Sequence, residues 1–282
     1  MKELKSKILT GNSGCSLTVF REEIYKIRKQ SSNRTTSLRL IEQYNKFKEF
    51  RKFNNILTPK TFKSGKKNKR FFYDMEYING KTLSLILISR PLSETKEIIN
   101  NIFKYIFFCR DNSDYIYQKK IFLKKINILK TKINIKEKYI KKIFIKIFKY
   151  DWKNISYSNS HGDLSLENII INKDKIFFID LSKNFIDSYK LDISKLLFDL
   201  ISCWSYRNIE HETHLIEINS LKKYIIRILE QKLDRKDISD IKMLILIDFL
   251  RVLTYTNDFK NKNLLKKHLR NFYDNFNNPL RW

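Results

Sequence analysis

Cysteine is scarce in this 282-residue chain: three in all, Cys15, Cys109 and Cys203, widely spaced and with no CxxC pair. That excludes a disulfide framework and a zinc ribbon, and it fits a reducing compartment. Glycine and proline are almost as thin, at 5 and 3 residues, so each one present stands out as punctuation. Long apolar runs are missing too. The most apolar, Met243 to Leu250, is broken by Asp248 and falls far short of the ~20 residues of a membrane helix. Met1 to Leu9 scatters charges among single apolar residues and lacks the continuous apolar stretch of a signal peptide. The expectation is a soluble, cytoplasmic protein with no transmembrane segment.

Acidic residues are outnumbered, 30 against 57 Lys and Arg, for a formal charge of +27. A dense positive field attracts polyanions, but no zinc finger, RNP-type aromatic motif or basic region before a zipper accompanies it. The composition leans on Lys, Ile and Asn as an AT-rich coding sequence would, and the Lys-rich stretch 119–149 reads as amphipathic helix with solvated polar faces. No specific nucleic-acid binding is expected. With 42% hydrophobic and 14% aromatic residues the chain can bury a real core, which excludes a disordered basic tail.

The first 80 residues carry short β-like segments, Ser16–Phe20, Glu23–Arg28, Thr58–Lys63 and Arg70–Glu76, separated by turn-like residues at Gly11–Gly14, Arg21-Glu22 and Ser64-Gly65-Lys66. One helix interrupts them over about Thr36 to Phe53, where Leu38, Ile41, Tyr44 and Phe47 recur at helical spacing. Asn79-Gly80 breaks the pattern. Beyond it the chain reads as helical around Ser93–Cys109 and Asp114–Tyr150. A second β-like island follows, with runs Ile169–Ile171 and Ile176–Leu181 joined by Asn172-Lys173-Asp174-Lys175, and then helices from Asp192 until Pro279.

Chemistry concentrates in His161-Gly162-Asp163-Leu164-Ser165-Leu166-Glu167-Asn168 and, after the hairpin, Ile179-Asp180. Oxygen-bearing side chains at Asp163, Asn168 and Asp180 flank short apolar strands, and the hairpin turns Asp180 back toward Asp163. Phosphoryl transfer needs hard oxygen ligands for Mg²⁺ and a carboxylate beside the attacking hydroxyl. The order resembles the catalytic segment of the protein-kinase-like superfamily, and His161-Gly162-Asp163 looks like the H-G-D of its small-molecule branch, the aminoglycoside phosphotransferase and choline kinase-like enzymes. Asp180-Leu181-Ser182 stands where protein kinases carry D-F-G, and no A-P-E is present.

That resemblance implies an α+β fold of two lobes: a small antiparallel β-sheet lobe with one helix over residues 1–78, and a larger, mainly helical lobe over 79–282. It implies a phosphotransferase using ATP and Mg²⁺ on a small-molecule hydroxyl, with a sugar or glycan precursor favoured as acceptor; the +27 charge and the sparse acidic residues of the C-terminal helices favour neutral or anionic acceptors over polycations. The rival reading is a pseudokinase or binding module for an anionic partner. Asp163 would be the catalytic base or orienting carboxylate, Asn168 and Asp180 the Mg²⁺ ligands, His161 a support of the loop, and Asp192 a cap on the next helix. Gly11, Ser13 and Gly14 would cover the phosphates, since glycine permits close backbone approach. Lys29 would be the nucleotide lysine, with Lys26 on the opposite strand face as rival. Its carboxylate partner would be Glu42, with Glu49 as the alternative, and the backbone at Glu76 to Ile78 would bond adenine. His211 and His214 lack the carboxylate or cysteine cluster of a zinc site. Trp204, Tyr206 and Arg207 suit an acceptor pocket or plain packing.

Overall fold

The computed structural model describes residues 8–10, 14–50, 52–110, 116–133, 137–153, 155–209 and 214–278. The chain divides into two compact units, one of residues 1–82 with 168–183, the other of 83–167 with 184–282. None of the described helices is long and apolar enough to cross a membrane.

The first unit is built on a five-stranded antiparallel sheet. Its strands are β1 (Ile8–Thr10), β2 (Cys15–Arg21), β3 (Tyr25–Ser31), β5 (Thr61–Lys67) and β6 (Arg70–Glu76), in the order β1-β2-β3-β6-β5. The helix α1 (Arg34–Glu49) starts at Asn33, whose side chain accepts the Thr36 N–H while Thr36 returns the bond to Asn33, a reciprocal cap on two otherwise orphaned donors. It buries Leu40, Gln43 and Phe47, the spacing that puts one stripe of a helix against a sheet. A second, four-stranded sheet holds the two-residue strands β4 (Ile56–Leu57) and β7 (Lys81–Thr82) on either side of the hairpin β8 (Ile169–Asn172) and β9 (Lys175–Phe178). The hairpin turn carries Lys173 at φ +55°. Sequence order assigns this hairpin to the second segment of the chain, yet its ladder partners are β4 and β7 of the first 82 residues.

The second unit is helical: α2 (Leu83–Ser89), α3 (Leu92–Arg110), α4 (Lys119–Lys132), α5 (Lys138–Lys149), α6 (Tyr189–Ser202), α7 (Leu215–Lys232), α8 (Arg235–Leu253) and α9 (Phe259–Asp274). The helical stretch read around 114–150 holds two helices, α4 and α5; α4 ends at Ile133, which turns extended. Every residue of α6 is buried, and α8 is buried from Asp240 to Leu250. These two helices form the middle of the unit, with Phe198 and Phe249 meeting edge to face at 4.9 Å. Trp152 stacks on Phe122 at 4.4 Å as a second packing centre. A helix enclosed on all sides must satisfy its charges internally, and α6 and α8 do so with Lys190–Asp240 at 2.8 Å and with Lys195–Asp248.

Candidate active site

In the first unit the sheet register places the two rival lysines on opposite faces. Lys29 lies between Leu17 of β2 and Tyr73 of β6. It is 2% exposed, and its Nζ donates to Asp180 Oδ1 at 2.7 Å, across 151 residues of chain. Lys26, three residues earlier, points to the other face of the pleat. There it pairs with Glu22 and sits 4.7 Å from the Phe62 ring centre.

Asp180 has φ +56°, a left-handed conformation uncommon for a residue with a side chain and concentrated at functional positions. Asn168 reaches it through the hairpin: Ile169 pairs with Phe178, and the Ile179 N–H donates to the Asn168 carbonyl at 3.0 Å. The backbone thus sets Asn168 beside Ile179-Asp180. These are hard oxygen donors, one neutral and one anionic, of the kind Mg²⁺ uses when phosphates and water complete its shell. The residues fit the ion.

Other expected nucleotide contacts fare differently. Glu42 is exposed, because the buried stripe of α1 runs through Gln43 instead. Gln43 accepts the Tyr73 hydroxyl at 3.1 Å, and Glu49 is exposed as well. Neither glutamate forms an ion pair with Lys29 among the described residues. At the end of β6 the Glu76 N–H donates to Lys60 O at 2.8 Å, and just after it the Tyr77 N–H donates to Tyr25 O at 3.1 Å. Ile78, by contrast, is buried, and its N–H has no backbone acceptor among the described residues. Gly80 follows in close contact with β8: a Cβ there would lie 2.4 Å from the Ile171 carbonyl oxygen. Gly11 and Ser13 lie outside the described residues; Gly14 has φ +68°, which glycine adopts without strain.

In the second unit the loop His161-Gly162-Asp163 is tied down from three sides. Asp192, in the first turn of α6, accepts the His161 N–H at 2.6 Å and the Gly162 N–H at 2.7 Å. It therefore clamps the loop rather than capping its own helix as expected. The fully buried His161 accepts the Asp163 N–H through Nδ1 at 3.2 Å, and Asn184 donates to the Gly162 carbonyl at 3.0 Å. Gly162 takes φ +84°. Farther along, the buried Asp199 accepts the Leu166 N–H at 2.9 Å and both the N–H and hydroxyl of Ser205. Burial pushes its carboxyl pKa up while those donors pull it back.

Asp163 emerges from this frame with its side chain 41% exposed, 3.7 Å from Lys195 Nζ and 3.8 Å from Arg251 Nη2. Both cations also face Asp248, which is 2% exposed and takes the Ser194 hydroxyl at 3.0 Å. The sequence reading missed Lys195, Asp248 and Arg251. One signal was available: a charge inside the most apolar run of the chain must have a partner. Trp204 carries the Arg207 guanidinium 4.6 Å above its ring, Arg207 stands 3.6 Å from Glu167, and the Tyr206 hydroxyl donates to Ser84 O. Tyr206 is thus packing. His214 lies just ahead of α7, His211 is outside the described residues, and no group of three or more metal-binding His, Cys, Asp or Glu occurs among those described.

Comparison with solved structures shows what this architecture is. The GDP complex of wild-type aminoglycoside 2'-phosphotransferase-IIIa superposes with a TM-score of 0.64 over 98% of this chain and 94% of its own, at 13% identity. The chain has the two-lobed fold of the small-molecule kinases. A choline/ethanolamine kinase family protein from Mesorhizobium loti shares it at a TM-score of 0.56, covering 97% of this chain and 88% of that one at 10% identity. In sequence, the chain is 32% identical over 153 residues to the Protein LicA homolog of Metamycoplasma hominis. That match spans 53% of this chain and 57% of the relative's length. No family model matches.

Proposed function

We propose that the protein is an ATP- and Mg²⁺-dependent phosphotransferase that moves the γ-phosphate to a hydroxyl of a small molecule, a sugar or glycan precursor being the favoured acceptor. The observation that carries this reading is the ion pair of the buried Lys29 with the part-exposed Asp180, beside Asn168. A buried lysine whose carboxylate partner is strained and adjoins a second oxygen donor is a poor stability device, because desolvating the ammonium offsets the attraction. It is a good receptor for a metal–triphosphate.

Lys29 would meet the phosphates, Asn168 and Asp180 would hold Mg²⁺, and the Ile78 N–H would receive the adenine edge. Mg²⁺, when bound, neutralises charge on the triphosphate. Asp163 would accept the acceptor's hydroxyl proton as the new O–P bond forms and the bond from the γ-phosphorus to ADP breaks. His161, Asp192 and Asn184 hold the Asp163 loop so that no reorganisation is needed at that moment.

The test is purified protein with Mg-ATP and pooled hydroxyl metabolites, read by mass spectrometry for phosphate addition. A phosphorylated product that disappears with Asp163→Ala supports the assignment. Nucleotide binding without any product across sugars, amino alcohols and polyols would instead favour a binding module of the same fold.

A further inference from the structure

Lys195 and Arg251 are shared between two carboxylates, Asp163 and Asp248, but not equally. Asp248 is already satisfied by Lys195 and by the Ser194 hydroxyl. Arg251 is left with looser contacts, Nε at 3.5 Å from Asp248 Oδ1 and Nη2 at 3.8 Å from Asp163 Oδ1. Its buried Nε faces Asp248 with poor hydrogen-bond geometry, and its side chain is 26% exposed. A guanidinium held this way offers its planar fork to an incoming anion, and phosphate matches that fork in shape and charge.

Lys125 lies near enough to Arg251 and Lys195 to feel the charge of both. Lys125 and Lys132 are seven residues apart on α4, two turns along one face, and α4 packs on α8. One turn beyond Arg251 on α8, Thr254 lines a cavity of about 280 Å³ together with Lys132, Glu137, Lys262 and Lys266. There three lysines face Glu137, which is engaged with Lys266 at 2.5 Å.

We propose that the acceptor is a phosphate-bearing hydroxyl compound whose phosphate is held by Arg251 and Lys125, presenting its hydroxyl to Asp163. The lysine-lined cavity takes the more distant part of a longer anionic acceptor. This assignment rests on the phosphotransferase reading and narrows it to a substrate class.

The experiment compares matched acceptors, glycerol with glycerol 3-phosphate and glucose with glucose 6-phosphate, plus glycerate as the carboxylate counterpart. The expected result is a kcat/KM for the phosphorylated member at least about tenfold above its parent, one well-placed ion pair's worth. Arg251→Gln and Lys125→Gln should bring that ratio toward unity, and Arg251→Lys should restore part of it. A general defect at Asp163 would lower both members and leave the ratio alone. Equal turnover of the pair, an unchanged ratio in Arg251→Gln, or preference for glycerate would overturn the proposal. If none of these five acceptors is phosphorylated, the phosphotransferase reading is decided by the broader screen above. Calorimetric titration of glycerol 3-phosphate into the protein with AMP-PNP then decides the subsite. Binding weakened about tenfold or more by Arg251→Gln upholds it, and no binding at millimolar concentration overturns it.

Discussion

Asp192 holds the main chain of Gly162, accepting its N–H at 2.7 Å while the other carboxylate oxygen takes the N–H of His161 at 2.6 Å. One buried carboxylate thereby satisfies two buried donors in the loop that carries Asp163. Asp192→Asn replaces one of those oxygens with an NH₂ group, which faces an N–H and cannot accept it. An unsatisfied buried donor costs about 1–3 kcal/mol. The expected outcome is a thermal midpoint lowered by roughly 3–8 °C, with kcat reduced as the loop loses its frame. A calorimetric scan that leaves the midpoint unchanged would show that Asp192 is not the clamp.

Lys29 and Lys26 give the next prediction. Lys29→Met leaves Asp180 without its partner and removes the cation proposed for the phosphates, so kcat/KM for ATP should fall by about 10² or more, the scale for losing one preorganised charge contact. Lys26→Met removes a half-exposed contact with Glu22 and should stay within about threefold, since such pairs contribute little. Steady-state kinetics on both variants check the contrast, and equal losses would refute it.

That contrast shows what was legible in the sequence and what was not. The alternation of β3 puts Lys26 and Lys29 on opposite faces, but which face meets Asp180 depends on β6 and on the β8–β9 hairpin, far away in sequence. The His161-to-Asp180 order carries its chemistry locally, and the strands and helix of the first 80 residues announce themselves through turns and periodicity. Gln43 hides because a polar residue on the buried face of α1 makes sense only with the Tyr73 hydroxyl thirty residues on. The strands β4 and β7 hide because two residues carry no period; their hairpin partners define them. Asp248 is visible as an anomaly in an apolar run, whereas Lys195 and Arg251 become meaningful only when α6 and α8 lie together.

Gly80 tests the packing that sets the segment after Ile78. With Cβ placed 2.4 Å from Ile171 O and 2.6 Å from Ile170 Cγ2, Gly80→Ala must displace backbone, the less yielding neighbour. A destabilisation of about 1–3 kcal/mol is expected, read by urea denaturation. Because Ile78 is two residues away, KM for ATP should rise as well. A stable variant with unaltered KM would mean that β7 and β8 separate freely.

Lys125 would make the proposed acceptor site sensitive to pH. Burial, with Arg251 and Lys195 nearby and Lys132 on the same helix, lowers its pKa from 10.5 to about 8, against the opposing pull of Asp248; the Phe185 ring lies 5.5 Å from its Nζ. With the folded pKa below the unfolded one, the charged lysine opposes folding fully below pH 8, and this cost disappears as pH rises toward 10.5. A phosphate dianion, whose own second ionisation lies near pH 6, favours the charged form and relieves that cost. KM for a phosphorylated acceptor should therefore be low at pH 7 and rise as pH passes through about 8, with the step moved upward at saturating acceptor. Its unphosphorylated parent should show no such step, and Lys125→Gln should flatten the profile of the phosphorylated member. Profiles from pH 6.5 to 10 for both acceptors check this. A parallel rise for the two would assign the titration to the nucleotide side, and a step that survives Lys125→Gln would assign it to another group.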